Sequence, residues 1–274
     1  MRLGYILLAI AAALIALGLG KTFAQEATQA RRHSEMLYPV VRVDSGPLKG
    51  SGTIIYSATR AGEIQTYVLT NWHVIESSIE IGKEWNPKKQ EEVDKETRRT
   101  VEVFTFQYNE LSRNIGSLGK RADIMAYDRK ADVALLRLTD REGALPYVAA
   151  LLPEGEALHI FDPVWAVGAG LGHPPFATEG VIGHLDDEID GYRYVFTTAP
   201  MIFGNSGGAL FRYSAERSRH ELIGIPARVR AGFFLVVTHM AFSVPIETIR
   251  EFLRVECYGF ILGDAQERAS CSPP

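Results

Sequence analysis

The sequence predicts an all-β fold of the sandwich or barrel type. From about Val40 onward, glycine or polar turns separate short runs rich in Val, Ile, Phe, Tyr and Thr, a pattern typical of strands. Many short strands of this kind imply a sandwich or a barrel. Amphipathic helical patterns do not alternate with them, which disfavours a doubly wound α/β fold. The chain has 274 residues, 46% of them apolar, and can therefore bury a sizeable core.

The predicted strands fall into two sets that a helix closes. The first set comprises residues 40–43, 52–56, 66–70, 101–108, 124–127 and 133–138. The second set comprises residues 158–161, 164–167, 180–183, 194–198, 208–211, 221–225, 233–238 and 241–244. In residues 245–255, Pro245 suits a first helical turn, and apolar side chains recur at helical spacing at Ile246, Ile249, Phe252 and Leu253. This pattern predicts a closing helix packed on the second set.

The first 24 residues are predicted to export the rest of the chain. Arg2 precedes an unbroken apolar and glycine stretch over residues 3–20, and Ala24 offers a small residue at a cleavage point. The stretch is also just long enough to span a bilayer, so a cleaved signal peptide and a retained membrane anchor both stay open. Either one makes the protein periplasmic, extracellular or anchored with its body outside the cytoplasm. The polar residues 25–40 are predicted to be a linker.

Two further segments lie outside the strand pattern. Residues 81–100 are dense in charged side chains without apolar periodicity, which indicates a solvated loop; a regulatory or partner-binding loop is the alternative. The two cysteines, Cys257 and Cys271, are too few for a metal site of four thiolates. In an exported protein they form either one disulfide that pins the C-terminal tail, residues 258–274, or two unpaired thiols.

A glycine-rich turn around a serine is the strongest chemical signal in the sequence. The segment Gly204-Asn205-Ser206-Gly207-Gly208 presents a hydroxyl that no neighbouring side chain obstructs. Acyl transfer needs such a nucleophile, and it needs backbone N–H groups directed at the oxygen that becomes negative in the transition state. We expect this turn, through the N–H groups of Gly204 and Ser206 on either side of Asn205, to form that oxyanion hole. An ordinary glycine-rich hairpin turn is the alternative.

A histidine and an aspartate border apolar runs in the first set of strands. His73 follows the run 67–70, and Asp132 opens the run 133–138. A partly buried aspartate needs a hydrogen-bond partner to stay ionised, and a histidine N–H is a suitable one. The order His, Asp, Ser along the chain is one of the known orders of a catalytic triad. We therefore expect His73 to be the general base, Asp132 to orient it and Ser206 to be the nucleophile.

Together these segments resemble the trypsin-like serine proteases, and most closely their bacterial HtrA/Deg branch. The matching stretches are Gly50-Ser-Gly-Thr-Ile-Ile, Leu69-Thr-Asn-Trp-His-Val, Asp132-Val-Ala-Leu-Leu, Val167-Gly-Ala-Gly-Leu-Gly, Gly204-Asn-Ser-Gly-Gly-Ala-Leu and Leu222-Ile-Gly-Ile. The resemblance covers roughly residues 40–255. It implies one protease domain at residues 41–257, made of two antiparallel six-stranded β-barrels at about 41–140 and 155–245. It also implies hydrolysis of peptide bonds through an acyl-enzyme, without a metal or cofactor.

The chain departs from the resembled branch at several points. Ala209 stands where the family usually has proline, and the charged insertion lengthens the interval between His73 and Asp132. The chain ends soon after the predicted closing helix, so we expect no peptide-binding PDZ domain. Asn205 replaces the aspartate with which digestive-type relatives capture a freed N-terminus, so activation by N-terminal cleavage is not expected.

The primary specificity pocket is expected to take small or medium apolar side chains. The residue that usually sets this preference in the family lies six before the serine, at Pro200, and neither Pro200 nor Met201 can pair with Lys or Arg. Ile225 and Pro226 are expected to line the pocket too. The predicted function is a serine endopeptidase acting on proteins or peptides. The alternatives are a protease-fold module that binds unfolded chains without cutting them, and an ester hydrolase.

Other features of the sequence give weaker evidence about function. The net charge of −4 gives no support for a nucleic-acid partner, and the sequence does not indicate an oligomeric state. The glycines at 168–172 follow an apolar run as in a dinucleotide-binding turn, but the residues His173-Pro174-Pro175 cannot open the required helix. The acidic cluster at 186–190 is more typical of a solvated hairpin tip than of a calcium site.

Overall fold

A computed structural model describes residues 26–88, 90–140, 143–232, 235–264 and 271. The predicted signal peptide or anchor, residues 1–24, lies outside these residues, as do positions 233 and 234 of a predicted strand. Within the described ranges, none of the helices has the length and apolar character that crossing a membrane requires.

Two closed β-barrels make up the body of the protein. Fourteen strands lie in the described residues, in this chain order: β1 (Val40–Ser45), β2 (Leu48–Arg60), β3 (Glu63–Thr70), β4 (Ile79–Asn86), β5 (Glu91–Arg98), β6 (Val101–Asn109), β7 (Arg113–Asp128), β8 (Val133–Leu138), β9 (Pro163–Gly168), β10 (Phe176–Ile189), β11 (Tyr192–Thr197), β12 (Ala209–Ser214), β13 (Arg219–Gly232) and β14 (Leu235–Pro245). The first barrel has the strand order β1-β2-β3-β8-β7-β6, and the second has β10-β11-β14-β13-β12-β9. Neighbouring strands pair antiparallel, for example β3 with β8 and β12 with β13. The predicted pair of six-stranded antiparallel barrels is confirmed.

Strand β8 explains how one run of apolar residues serves two cores. Ala134 and Leu136 belong to the core inside the first barrel, whereas Val133 and Leu135 belong to the larger core that continues into the second barrel. Successive side chains of a strand point to opposite faces, so both faces of β8 are covered. The carboxylate of Asp132, just before β8, therefore lies where the two cores meet.

The charged segment after His73 is regular, which corrects the predicted loop. Strands β4 and β5 pair with each other as a two-stranded hairpin outside both barrels. Lys83 Nζ lies 2.5 Å from Asp94 Oδ1 across the hairpin, and Lys95 Nζ donates to Glu84 Oε1 at 2.9 Å. Opposite charges on facing strands stabilise a pair by about 0.2–1 kcal/mol. The segment is exposed as expected, but it forms a hairpin in which the opposite charges of Lys83 and Asp94 face each other.

The predicted strand at residues 158–161 is absent from the described structure. Phe161 has a φ of +76°, which is incompatible with a strand. The backbone N–H of His159 donates to Asp162 Oδ2 at 2.9 Å, and the N–H of Asp162 donates back to the His159 carbonyl at 3.1 Å. These reciprocal bonds close a turn just before β9.

The segment predicted as a linker at residues 25–40 is instead packed on the barrels. Residues 26–32 are helical, and the π-helical turn His33–Leu37 continues them. Met36 is buried in the large core. Glu35 Oε2 accepts hydrogen bonds from the backbone N–H and the Nδ1–H of His220, at 2.9 and 2.6 Å. The polar composition alone suggested a linker. The residue that pairs with Glu35, His220, lies 185 residues away, so the local sequence does not reveal this contact.

The C-terminal elements join the two barrels. The closing helix is Ile246–Val255, with Pro245 as its N-cap residue rather than in its first turn, and its predicted apolar face is buried. Tyr258 and Phe260 follow the helix and pack their rings on Tyr67 of the first barrel, with centroids 5.5 and 5.7 Å apart. A disulfide connects Cys257 with Cys271 and so ties the end of the chain to this junction.

Candidate active site

His73 and Asp132 are held together by three hydrogen bonds. The short helix Trp72–Ile75 follows β3 and carries His73, and Asp132 precedes β8 with a φ of +55°. His73 Nδ1 lies 2.8 Å from Asp132 Oδ2 and 3.0 Å from Oδ1, and the His73 backbone N–H donates to Oδ1 at 3.1 Å. Asp132 is buried, and Asn71 Nδ2 donates to its carbonyl at 2.7 Å. A proton on Nδ1 fits this arrangement and leaves Nε2 free to accept another.

Ser206 faces the same cleft as the histidine. His73 from the first barrel and Ser206 from the second both line a cavity of about 360 Å³. Among the described residues, the side-chain hydrogen bonds of His73 go to Asp132, and none joins it to Ser206. Catalytic hydrogen bonds of this kind often shorten only when a substrate is bound. The structure thus places His73 and Ser206 at one cleft, with Asp132 buried and hydrogen-bonded to His73.

The peptide groups around Ser206 are oriented by their carbonyl partners. The Phe203 carbonyl accepts from Leu171 N–H at 2.8 Å, and the Asn205 carbonyl accepts from Gly208 N–H at 3.0 Å. In a trans peptide the C=O and N–H point in opposite directions, so the N–H groups of Gly204 and Ser206 point away from these partners. Neither N–H donates to a backbone carbonyl in the described part of the chain. This geometry suits two oxyanion donors.

Asn205 stabilises the turn rather than donating to an oxyanion. Its backbone N–H donates to the Ile202 carbonyl at 3.1 Å, so it is not free to reach an oxyanion. Its side chain is buried, and its Oδ1 accepts from Ile202 N–H at 3.4 Å. Asn205 therefore belongs to the predicted oxyanion turn and supports it from inside, but it does not donate to the oxyanion, because consecutive peptide groups of the turn point to opposite sides.

The glycines of the turn are required by backbone geometry. Gly204 has a φ of +94°, and a Cβ at this position would lie 2.7 Å from Leu171 N. Gly207 has a φ of +81°, and its Cβ would lie 2.2 Å from Thr70 Oγ1. Both conditions exclude a side chain. The glycine-rich segment at 168–172, which matched no cofactor motif, turns out to be the packing surface behind this turn.

The residues expected to form the specificity pocket are only partly together. Met201 and Pro226 line the cavity beside Ser206, whereas Pro200 and Ile225 do not. Ile225 is fully buried in the large core. The side chains that sequence reasoning missed are Ile202, Phe203, Ala227, Arg228 and Val229. A register shift between Pro226 and Arg228 in β13 breaks the alternation of side chains between the two faces of the strand. The strand pattern therefore could not identify Ala227, Arg228 and Val229 as lining the cavity.

Arg228 brings a positive charge to the cavity wall. Its Nη1 donates to Asp190 Oδ2 at 2.9 Å, and this hydrogen bond raises the pKa of the guanidinium. Its guanidinium carbon also lies 5.3 Å from the centre of the Tyr194 ring. Elsewhere in the described ranges, no group of three or more His, Cys, Asp or Glu side chains is arranged to hold a metal ion.

Comparisons with known proteins agree with this architecture. A family model described as a trypsin-like peptidase domain matches residues 50–225. Among solved structures, the HtrA-type protease AlgW with a tripeptide is similar, with a TM-score of 0.57 and 19% sequence identity. The match covers 81% of this chain but 61% of that one, so the chain spans less than two thirds of its length, and at this identity the likeness concerns the fold. No curated protein matches the sequence significantly.

Proposed function

The chain belongs to the trypsin-like peptidase family, and on that premise we propose that it is a serine endopeptidase that hydrolyses peptide bonds in proteins or peptides. One observation carries the proposal. The hydrogen-bonded pair of His73 and Asp132 and the glycine-bounded Ser206 come from different barrels and line one cavity. An aspartate, a histidine and a serine in this relation are the parts that acyl transfer requires.

The proposed reaction forms and then hydrolyses an acyl-enzyme. Ser206 Oγ attacks the scissile carbonyl carbon while His73 Nε2 takes the hydroxyl proton, and Asp132 stabilises the imidazolium that results. The N–H groups of Gly204 and Ser206 donate to the carbonyl oxygen as it becomes negative. His73 then returns the proton to the leaving amine, and the C–N bond breaks. Water attacks the ester by the same route and releases the acid and the free serine.

We propose small or medium apolar side chains as the preferred residue before the scissile bond. Met201, Pro226 and Val229 supply apolar surface to the cavity wall. The described residues that line the cavity include no carboxylate that could pair with a Lys or Arg side chain, and Arg228 stands in the same wall. A peptide library would test this preference, and efficient cleavage only after Lys or Arg would contradict it.

Covalent labelling with a serine-directed fluorophosphonate tests the proposed activity. Wild type is expected to label at Ser206, and Ser206→Ala and His73→Ala are expected to lose labelling. Loss of the nucleophile typically costs on the order of 10⁶ in turnover, so the contrast is large. Ser117→Ala, at an exposed position of β7, is a matched control that should label like wild type. Folded wild type that fails to label would favour a module that binds polypeptides without cutting them.

We also propose that the protein works outside the cytoplasm. The Cys257–Cys271 disulfide is a type of bond that persists in oxidising compartments. The apolar stretch at residues 3–20 is typical of an export signal or anchor. Mass determination of the mature N-terminus tests this, since removal of about 24 residues indicates a signal peptide and full length in a membrane fraction indicates a tether. Full-length protein in the cytosol with free thiols would contradict export.

A further inference from the structure

Ser51 connects the first barrel to the serine turn of the second. It lies in β2 and is fully buried. Its backbone N–H donates to the Ser206 carbonyl at 2.7 Å. Its Oγ donates to the Gly204 carbonyl at 2.6 Å and accepts from the Ala169 N–H at 2.7 Å. One residue thus holds two carbonyls of the turn and one N–H of the loop behind it.

These bonds complete the set that orients the turn. The carbonyls of Phe203 and Asn205 already have backbone donors, and Ser51 supplies the donors for the carbonyls of Gly204 and Ser206. The peptide group between Gly204 and Asn205 lies between the two peptide groups that carry the proposed oxyanion donors. If it rotated, both neighbouring N–H groups would change direction, because consecutive peptide planes share a Cα atom.

The bond to the Ala169 N–H extends this control to the supporting loop. Ala169 stands two residues before Leu171, whose N–H holds the Phe203 carbonyl. The Ser51 hydroxyl therefore touches the turn directly at Gly204 and acts on it a second time through the loop.

The surroundings leave the hydroxyl without a substitute. A Cβ on Gly207 would lie 2.3 Å from the Ser51 carbonyl, and a Cβ on Gly168 would lie 3.1 Å from Ser51 Oγ. In the described part of the chain, no other group donates to the Gly204 carbonyl or accepts from the Ala169 N–H. Without the hydroxyl, the Gly204 carbonyl and the Ala169 N–H would be buried and unpaired, which favours rearrangement of the turn.

We propose that Ser51 is a positioning residue for the oxyanion hole, and this inference rests on the proposed endopeptidase function. Its hydroxyl orients the peptide groups that donate to the oxyanion, but it does not contact the substrate itself. Displacement of a catalytic group by about 1 Å can cost on the order of 100-fold in rate. The loss belongs to the transition state, so kcat should fall while KM changes little.

The test compares Ser51→Ala with wild type and with Thr53→Val. Thr53 is two residues along the same strand and equally buried, and its hydroxyl has no partner in the described structure, which makes it a matched control. Ser51→Ala is expected to lower kcat about 10- to 100-fold with KM within about threefold of wild type. Thr53→Val should keep the wild-type kcat.

A pair of inhibitors separates positioning from general damage. A peptide aldehyde forms a tetrahedral adduct whose oxygen needs the hole, whereas the matching peptide alcohol has no carbonyl group and binds without forming an adduct or an oxyanion. Ser51→Ala should weaken binding of the aldehyde about 10- to 100-fold and leave binding of the alcohol unchanged. Equal weakening of both inhibitors would overturn the positioning role.

The remaining outcomes also support or overturn the positioning role of Ser51. If Ser51→Ala does not fold, Ser51→Cys carries the test, because its thiol is a weaker donor and predicts an intermediate loss of kcat with folding retained. An active wild type with unchanged kcat in a folded variant overturns the inference alone. A folded wild type that neither cleaves peptides nor labels overturns the proposed function and this inference with it.

Discussion

Asp132→Asn changes one atom and should remove most of the activity by reversing the imidazole tautomer. The carboxylate accepts from His73 at two places, the Nδ1–H at 2.8 Å and the backbone N–H at 3.1 Å. An asparagine has one carbonyl oxygen, and we expect the backbone N–H to retain it, because that donor cannot lose its proton. The amide NH₂ would then face Nδ1 and donate to it, which moves the ring proton to Nε2. A protonated Nε2 cannot accept the proton of Ser206.

The expected cost is about 10⁴ in kcat, which corresponds to roughly 5.5 kcal/mol of transition-state stabilisation. The assay is kcat and KM for an apolar peptide substrate, with far-UV circular dichroism to show that the variant is folded. The side chains have nearly the same size, so KM should stay close to the wild-type value. A folded Asp132→Asn within tenfold of wild-type kcat would refute the assignment of Asp132. Asp123→Asn, at a partly exposed position of β7, is the matched control and should keep full activity.

Three further predictions concern Gly204, His220 and the Cys257–Cys271 disulfide. Gly204→Ala should lower kcat by about 100-fold or more, because φ is +94° and the new Cβ would lie 2.7 Å from Leu171 N; peptide turnover near the wild-type value would contradict the oxyanion assignment. Burial lowers the pKa of His220, so the unfolded chain binds a proton more readily, and stability present above about pH 6.5 should fall as the pH drops below it. Thermal unfolding between about pH 8 and 5 checks this, and His220→Gln should show a weaker pH dependence. Cys257→Ser opens a loop of 14 residues and should lower the free energy of unfolding by about 3 kcal/mol, measured with urea, without changing kcat.

The turn around Ser206 shows what a sequence motif predicts and what it leaves undetermined. The run of glycines around Ser206 is visible in the sequence, and the structure explains it by positive φ angles and close backbone contacts. The direction of each N–H group is not visible, because it depends on carbonyl partners elsewhere in the chain. The whole turn around Asn205 was expected to form the oxyanion hole, yet the Asn205 N–H donates to the Ile202 carbonyl, and the donor to the Gly204 carbonyl lies 153 residues before it.

Local patterns predicted an all-β fold of many short strands and the residue types of the candidate site, and the family resemblance predicted the two barrels. A short apolar run such as Val133–Leu138 is a local property of the sequence, and so is a serine among glycines. Tertiary structure alone decided which contacts join distant segments. The packing of Glu35 on His220 and the hydrogen bonds of Ser51 depend on partners far away in the sequence, which no local pattern identifies. Burial makes these bonds count, since an unpaired buried polar group costs more free energy than an exposed one.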